Sequence, residues 1–238
     1  YVRLNGVGYT LRRGVEKVRD RGLREYDRLY RRERAGEAEL AQQRERKWRA
    51  APLVSILVPV YNTDPAMLRA AAESFRAQTY PHWEAILLDG ASTKPETVQC
   101  LKKLEKLDDR LRVVFSGENL HISGNSNAAL RHAKGEWIAL CDHDDLYTPD
   151  ALYWVMDAVE RENPDFIYSD EDKVSEDGKV FFEAHFKPDY CPDNLRSGNY
   201  ICHLMVMRRS LVDAAGGFRS AFDGSQDHDL ALRCMEHT

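Results

Sequence analysis

From Ala51 onward the chain alternates short apolar runs with amphipathic segments, and this alternation restricts its fold more than any other feature. Val54-Ser-Ile-Leu-Val-Pro-Val60 has the length and continuity of a strand buried on both faces. Asp64-Pro65 then supplies a helix cap and first turn, and Leu68, Ala71, Ala72 and Phe75 fall on one helical face. Trp83–Leu88 is the next apolar run, ending at Asp89-Gly90. A helix near 95–107, a strand at 111–115, a helix near 124–133 and a strand at 137–141 continue the pattern. Repeated strand–helix units with unbroken apolar strands predict a mainly parallel sheet covered by helices on both faces, a Rossmann-like α/β fold.

Sheet geometry then locates a site. In open α/β sheets ligands collect beyond the carboxyl ends of the strands, and three predicted strands end there in polar residues: Tyr61-Asn62, Asp89, and Asp142-His143-Asp144-Asp145. Carboxylates packed as closely as in the last group repel one another unless a cation, hydrogen bonds or open water compensates. A bound group is therefore expected at this rim. Neither G-x-G-x-x-G nor G-x-x-x-x-G-K-[ST] occurs, which argues against a Rossmann dinucleotide site and a P-loop.

Composition narrows the ligand. The net charge of −5 divides unevenly, with +7 in residues 1–50 and −12 in the remainder. An acidic body argues against nucleic acid, whereas an anionic small ligand remains compatible if a metal ion supplies positive charge. Five scattered cysteines without a C-x-x-C suggest neither a disulfide framework nor a zinc knuckle, in keeping with a reducing cytoplasm. No apolar run approaches the roughly 20 residues needed to span a bilayer. Residues 1–50 have the pattern of a charged helical extension outside the sheet, with Val15, Val18, Leu23, Tyr26, Leu29 and Tyr30 at helical spacing. Docking of that stripe on the body, or attachment to a partner or an anionic membrane surface, are both open. The chain opens on Tyr1 rather than Met and is expected to be part of something longer.

Beyond residue 150 the pattern is less regular. Pro149-Asp150 is expected to cap a helix running to about Glu162, Phe166–Tyr168 is a strand, and Glu176-Asp177-Gly178-Lys179 resembles a hairpin turn. "FFEAHFKPDYCPDN" is rich enough in Pro and aromatics to be expected as an irregular, functional loop. Tyr200–Met207 is expected as a strand, 209–215 as a short helix, and "SQDHDLALRCME" as a helix under an acidic cap.

Four segments in this order and spacing, "VSILVPVYN", "LLDGAS", "AKGEWIALCDHDDLYTPDAL" and "GGFRSAFDGSQDHDLALR", resemble glycosyltransferase family 2 with its A-type nucleotide-sugar-binding fold. The resemblance covers residues 53–235. The stretch "YSDEDKV…HFKPDY…NYICHLMVMRRSL" is similar to the bacterial branch that builds O-antigen and other surface polysaccharides, rhamnosyltransferases among them.

The resemblance implies inverting transfer of a sugar from a nucleoside-diphosphate sugar donor to a hydroxyl of a growing glycan or lipid-linked glycan acceptor. It also implies a Mn²⁺ or Mg²⁺ ion bridging the diphosphate, a suitable partner for hard carboxylate ligands. Carried over by position, Asp142 and Asp144 match the D-x-D motif, Asp144 as metal ligand and Asp142 near both ribose and metal. Asp89 matches the residue that recognises the nucleobase, with Tyr61 and Pro59 beside it, and Asp227 matches the catalytic base, with Asp229 the competing choice. His185 and His203 are open possibilities for completing the site. Gln226 stands where Glu is usual, Gly90 replaces a frequent second Asp, and Asn125-Ser126-Asn127 lacks a frequent Arg.

On these grounds residues 1–50 are expected as a helical extension and 51–238 as a glycosyltransferase domain, truncated at its C-terminus. A cytoplasmic location is expected, with the inner face of the cytoplasmic membrane or further catalytic domains of the same chain as partners. Two alternatives stay open: a non-catalytic or partner-dependent module of a polysaccharide polymerase, and a nucleotidyltransferase. Against the latter, "PVYNTDPAM" carries no Lys or Arg for a phosphate loop.

Overall fold

The computed structural model describes residues 25–175 and 177–238. Val15, Val18 and Leu23 of the predicted N-terminal stripe, and Glu176 of the predicted turn, lie outside the described residues. The described residues form two compact units: 25–36 with 170–187, and 37–169 with 188–238.

The larger unit contains a six-stranded sheet in the order β3-β2-β1-β4-β8-β5, where β1 is Val54–Val60, β2 Trp83–Asp89, β3 Leu111–Phe115, β4 Trp137–Leu140, β5 Phe166–Tyr168 and β8 Met205–Arg208. β1 pairs in parallel with β2 and β4, and β2 in parallel with β3, while β8 runs antiparallel to both β4 and β5. The mainly parallel sheet expected from the strand–helix alternation is present, with one reversed strand. Successive side chains of a strand point to opposite faces, and the core divides accordingly. Val54, Ile56, Val58 and Val60 of β1 join Trp83, Ala85 and Leu87 of β2 on one face, against Leu68 and Phe75, Leu101, and Leu152 and Val155 from three helices. Leu57, Ile86 and Leu88 face the other way, against Ala129 and Leu130, Leu211 and Val212, and Leu230 and Ala231. Burial on both faces is why the strands carry no alternating polar residues.

Local chemistry sets the element ends. Asp64 accepts a hydrogen bond from the Ala66 N–H at 2.6 Å with Pro65 in the first turn, so the helix Pro65–Arg76 starts as its sequence predicts. The helix Ala151–Glu162 differs: the Asp150 carboxylate makes no backbone cap and accepts from Trp154 Nε1 at 3.1 Å.

Residues 37–50 belong with the sheet. The helix Glu37–Arg44 buries Leu40, and Gln43 Oε1 accepts from the buried Thr79 hydroxyl at 2.8 Å. Arg46 pairs with Asp157 at 2.6 Å and Glu160 at 3.2 Å and lies 4.0 Å over the Trp48 ring. Composition sets this segment apart from residues 51–238 because its outer surface is charged, yet the few side chains that face inward are specific.

The smaller unit pairs β6 (Glu171–Val174) with β7 (Phe181–His185) in an antiparallel hairpin beside helical residues 25–33. Tyr30 stacks on Phe181 with ring centroids 3.9 Å apart, and Tyr26 donates to Asp172 at 2.7 Å. Two expectations are corrected after residue 180. The "FFEAHFKPDYCPDN" stretch is not irregular throughout, since Phe181–His185 is a paired strand and Pro192–Ser197 a helix with Pro at its first position. The strand expected over Tyr200–Met207 is confined to Met205–Arg208: Tyr200 and Ile201 are buried anchors, and Cys202 takes φ +44° as the chain turns into the sheet.

Candidate functional site

The carboxyl ends of β1 and β4 open into a cleft of about 190 Å³, lined among others by Pro59, Ser126, Asp142, His203, Gln226 and Asp227. Residues far apart in sequence thus meet at the rim where the strand pattern placed a ligand. Each arrives on a different element: Pro59 on β1, Asp142 just past β4, His203 before β8, and Asp227 in the first turn of the helix Gln226–Cys234.

The acidic cluster after β4 is ordered from beneath. Tyr147 is buried and its hydroxyl donates to the Leu140 carbonyl at 2.8 Å, pulling the loop back on its own strand. Burial, reinforced by the Cys141 side chain and the Asp145 and Asp142 charges, raises the Tyr147 phenol well above its ordinary range. Burial likewise, with Asp145 and Asp142 adding to it, raises the Cys141 thiol well above its ordinary range. His203 Nε2 lies 3.6 Å from an Asp142 oxygen and 3.8 Å from an Asp145 oxygen. One ligand atom from each of Asp142, Asp145 and His203 falls within 4.8 Å of the others. Asp145, the last residue of the acidic run, thus joins the cluster. Asp144 is 53% exposed, with an oxygen 3.6 Å from His143 Nδ1.

Asp89 and Tyr61 stand on the neighbouring strand ends. Asp89 is paired in register with Val60 and is only 2% exposed, its two oxygens taking the Ser92 N–H at 3.3 and 3.2 Å. Tyr61 follows Val60 and is 44% exposed, leaving its ring open at the rim. Asn62, at φ +52°, ties the two strand ends together: its Oδ1 accepts from the Thr93 and Lys94 N–H groups at 2.8 and 3.0 Å, and its own N–H donates to Ser92 Oγ. Gly90 is required by packing, because a Cβ there would overlap Asn125 Nδ2. Asn125 is buried and bonded to Asn119 and to the Leu120 N–H, so its amide fills the space that a side chain at position 90 would need.

At the far side of the cleft two neighbouring aspartates have different environments. Burial opposes ionisation of Asp229, but hydrogen bonds from Arg219 and Arg233 outweigh it and hold its carboxyl below the usual range. Asp229 is thereby committed to holding the segment around 215–219 against the helix. Asp227 faces the cleft and accepts from a neutral amide, Asn199 Nδ2, at 2.7 Å. Gln226 Oε1 accepts the Gly224 N–H at 2.9 Å, a duty a glutamate would also perform. His228 Nε2 contacts the Leu195 carbonyl at 2.6 Å and is structural. His185, in the smaller unit, pairs with Glu171 at 2.9 Å.

The contacts of Asn199, Asn62 and Asp145 are set by tertiary structure. Asn62 was visible as a polar residue at a strand end; Asn199 carried no signal, since an asparagine in an irregular stretch has many uses.

The chain is similar to known proteins in sequence and in fold. A protein of Sinorhizobium fredii named only as uncharacterized protein y4gI is 48% identical over 193 residues, 80% of this chain and 21% of its own. The O-antigen biosynthesis protein RfbC of Myxococcus xanthus is 34% identical over 188 residues, covering 79% of this chain and 15% of its own. The chain thus spans about a fifth or less of the length of these two relatives. Among solved structures, the mannosyltransferase PcManGT from Pyrobaculum calidifontis, in complex with GDP-Man and Mn²⁺, shares the fold with a TM-score of 0.59 at 19% identity, over 82% of this chain and 57% of its own. Residues 55–216 match the profile described as glycosyl transferase family 2, and the chain belongs to that family.

Proposed function

We propose that the cleft transfers a sugar, with inversion, from a nucleoside-diphosphate sugar to a hydroxyl of a growing surface glycan, free or lipid-linked. The observation that carries this reading is the meeting of Asp142, His203 and Asp227 in one cleft at the carboxyl rim of the sheet. Asp142 and His203 belong to the donor side, Asp227 to the acceptor side.

The ligand set at the rim suits a divalent ion: carboxylates from Asp142 and Asp145 match the oxygen preference of Mn²⁺ and Mg²⁺, and the His203 imidazole is a further nitrogen donor beside them. Asp142 and Asp145, with His203, are the groups that would hold it, and Asp144, which matches the family motif, stands beside them. Bound there, Mn²⁺ or Mg²⁺ supplies the positive charge that an acidic rim lacks for a diphosphate leaving group. Asp89, Tyr61 and Pro59 are assigned to the nucleotide, Tyr61 through its open ring and Asp89 by ordering the loop after β2. Asp227 takes the proton of the acceptor hydroxyl as its oxygen bonds to the anomeric carbon and the bond to the diphosphate breaks. A single displacement of this kind needs one base and no covalent intermediate. The two arginine partners of Asp229 stabilise its ionised form and lower its basicity, which favours Asp227 over Asp229 as the base. The name of the Myxococcus relative supports a surface-polysaccharide acceptor. No helix among the described residues is long and apolar enough to cross a membrane.

The test is a donor panel of UDP-glucose, UDP-GlcNAc, GDP-mannose and dTDP-rhamnose with Mn²⁺. Metal-dependent release of nucleoside diphosphate together with sugar supports the proposal. Release of pyrophosphate assigns nucleotidyl transfer instead, and turnover of none of the four by a chain that binds none of UDP, GDP and dTDP removes the donor site.

A further inference from the structure

We infer that Asn199 is a positioning residue that aims the Asp227 carboxylate into the cleft, and that it ties this carboxylate to the turn carrying His203. The inference rests on the reading of Asp227 as the base.

Three contacts converge on Asn199. Its Nδ2 donates to Asp227 Oδ2 at 2.7 Å. Its Oδ1 accepts the Cys202 N–H at 3.2 Å, and its own carbonyl accepts from Cys202 Sγ at 3.3 Å. Cys202 directly precedes His203, which lies within 4 Å of Asp142 and Asp145 oxygens. One side chain therefore joins the turn before β8, on the donor side, to the first turn of the helix Gln226–Cys234, on the acceptor side.

Asn199 is itself firmly placed. Tyr200 and Ile201, the next two residues, are buried, and the Tyr200 hydroxyl accepts the Cys191 N–H at 3.0 Å. Preceding it, Leu195 is buried and its carbonyl contacts His228, the residue after Asp227. The segment 195–199 thus holds two consecutive residues of the helix start, through His228 to Leu195 and through Asp227 to Asn199. The first contact fixes the backbone of the turn; the second fixes the carboxylate. With Oδ2 engaged by the amide, Oδ1 is left to meet an acceptor proton. An amide donor suits this place because it orients the carboxylate without adding a charge that would suppress its basicity, in contrast to the arginines on Asp229.

The experiment uses the full chain and water as acceptor, following hydrolysis of UDP-GlcNAc and GDP-mannose with Mn²⁺. Asn199→Ala removes the link, and Asn199→Asp keeps an oxygen for the Cys202 N–H while replacing the donor to Asp227 with a like charge. Both are expected to lower kcat by about 10- to 100-fold, the scale of a misplaced reacting group, with donor KM and UDP affinity within about twofold of wild type. Asn199→Asp keeps the size of the side chain and guards against a folding defect in Asn199→Ala. Wild-type kcat in both variants, or a loss carried by donor KM, overturns the inference. Asp227→Asn separates the two claims: if it hydrolyses donor normally, the base assignment falls, and if it is inactive while both Asn199 variants are normal, only the positioning role falls. Should wild type hydrolyse neither donor, the side-chain amide protons of Asn199 are read by NMR with UDP and Mn²⁺ present. Their resonances are expected to move toward solvent values in Asp227→Ala, and to sharpen or shift on adding UDP and Mn²⁺ to wild type. Absence of both changes overturns the link.

Discussion

Removing residues 37–50 should undo the fold of the sheet unit, although their composition sets them apart from it. Two truncated chains make the comparison, one starting at Glu37 and one at Ala51. Both lack residues 25–36 and so lose equally the Tyr30–Phe181 stack and the Tyr26–Asp172 hydrogen bond of the hairpin unit. Their difference isolates the segment in question. Burial of Leu40 contributes about 2 kcal/mol and the packing of Trp48 against Tyr80 and Tyr153 a further ~2 kcal/mol. Leaving the buried Thr79 hydroxyl without Gln43 costs about 1 kcal/mol or more. The Arg46 pairs with Asp157 and Glu160 are partly exposed and Asp157 retains Arg161, so they add only ~1 kcal/mol. A total near 6 kcal/mol is a large part of the roughly 5–15 kcal/mol that holds a domain together. At about 2–4 °C per kcal/mol for a chain of this size, the chain from Ala51 should melt about 12–24 °C below the chain from Glu37, or fail to fold. Far-ultraviolet circular dichroism on heating measures this, and Mn²⁺-dependent UDP binding reports whether the cleft survives. Melting temperatures within about 3 °C of each other would refute the reasoning and return residues 37–50 to the status of an external extension.

Gly90→Ala should destabilise by about 2–4 kcal/mol, because the new Cβ displaces the buried Asn125 amide from Asn119 and the Leu120 N–H. Adding Asn125→Ala should restore part of that loss in a double-mutant cycle, and strictly additive effects count against the packing argument. His203→Ala should lower Mn²⁺-dependent UDP affinity at least about tenfold by calorimetry, since it removes one of the three groups that converge at the rim. In the same assay a loss in Asp145→Asn with Asp144→Asn near wild type assigns the metal to the observed cluster, and the reverse assigns it to the family motif. Asp108 hydrogen-bonds Arg110, and although partial burial opposes it, its carboxyl is lowered from 3.8 to about 2. A depressed folded-state value contributes stability above the unfolded pKa that is lost as pH falls through the folded one. Asp108→Asn should therefore cost stability at pH 7 and progressively less between about pH 5 and pH 2, as followed by urea denaturation; a constant difference over that window would contradict the assignment.

The mainly parallel sheet, its two-sided core and the rim were legible in the sequence because local rules govern them: apolar runs of strand length, a proline after an aspartate, carboxylates after a buried strand. Asp227 is singled out in the sequence only by the spacing of family motifs, since nothing local distinguishes it from Asp229. That distinction came from tertiary structure, which brings Arg219 and Arg233 onto Asp229 and leaves Asp227 facing the cleft. Asn199 and the place of Asp145 in the cluster were invisible for the same reason. Their contacts are made with partners 28 and 58 residues away, the Asp227 hydrogen bond and the His203 contact, and through a turn at Cys202 that strand propensity alone did not foresee. The charged surface of residues 37–50 hid its inward contacts, because composition averages over all faces of a helix while packing depends on one. Periodicity records which face of an element is buried; which distant side chain meets it there is decided only when the elements pack.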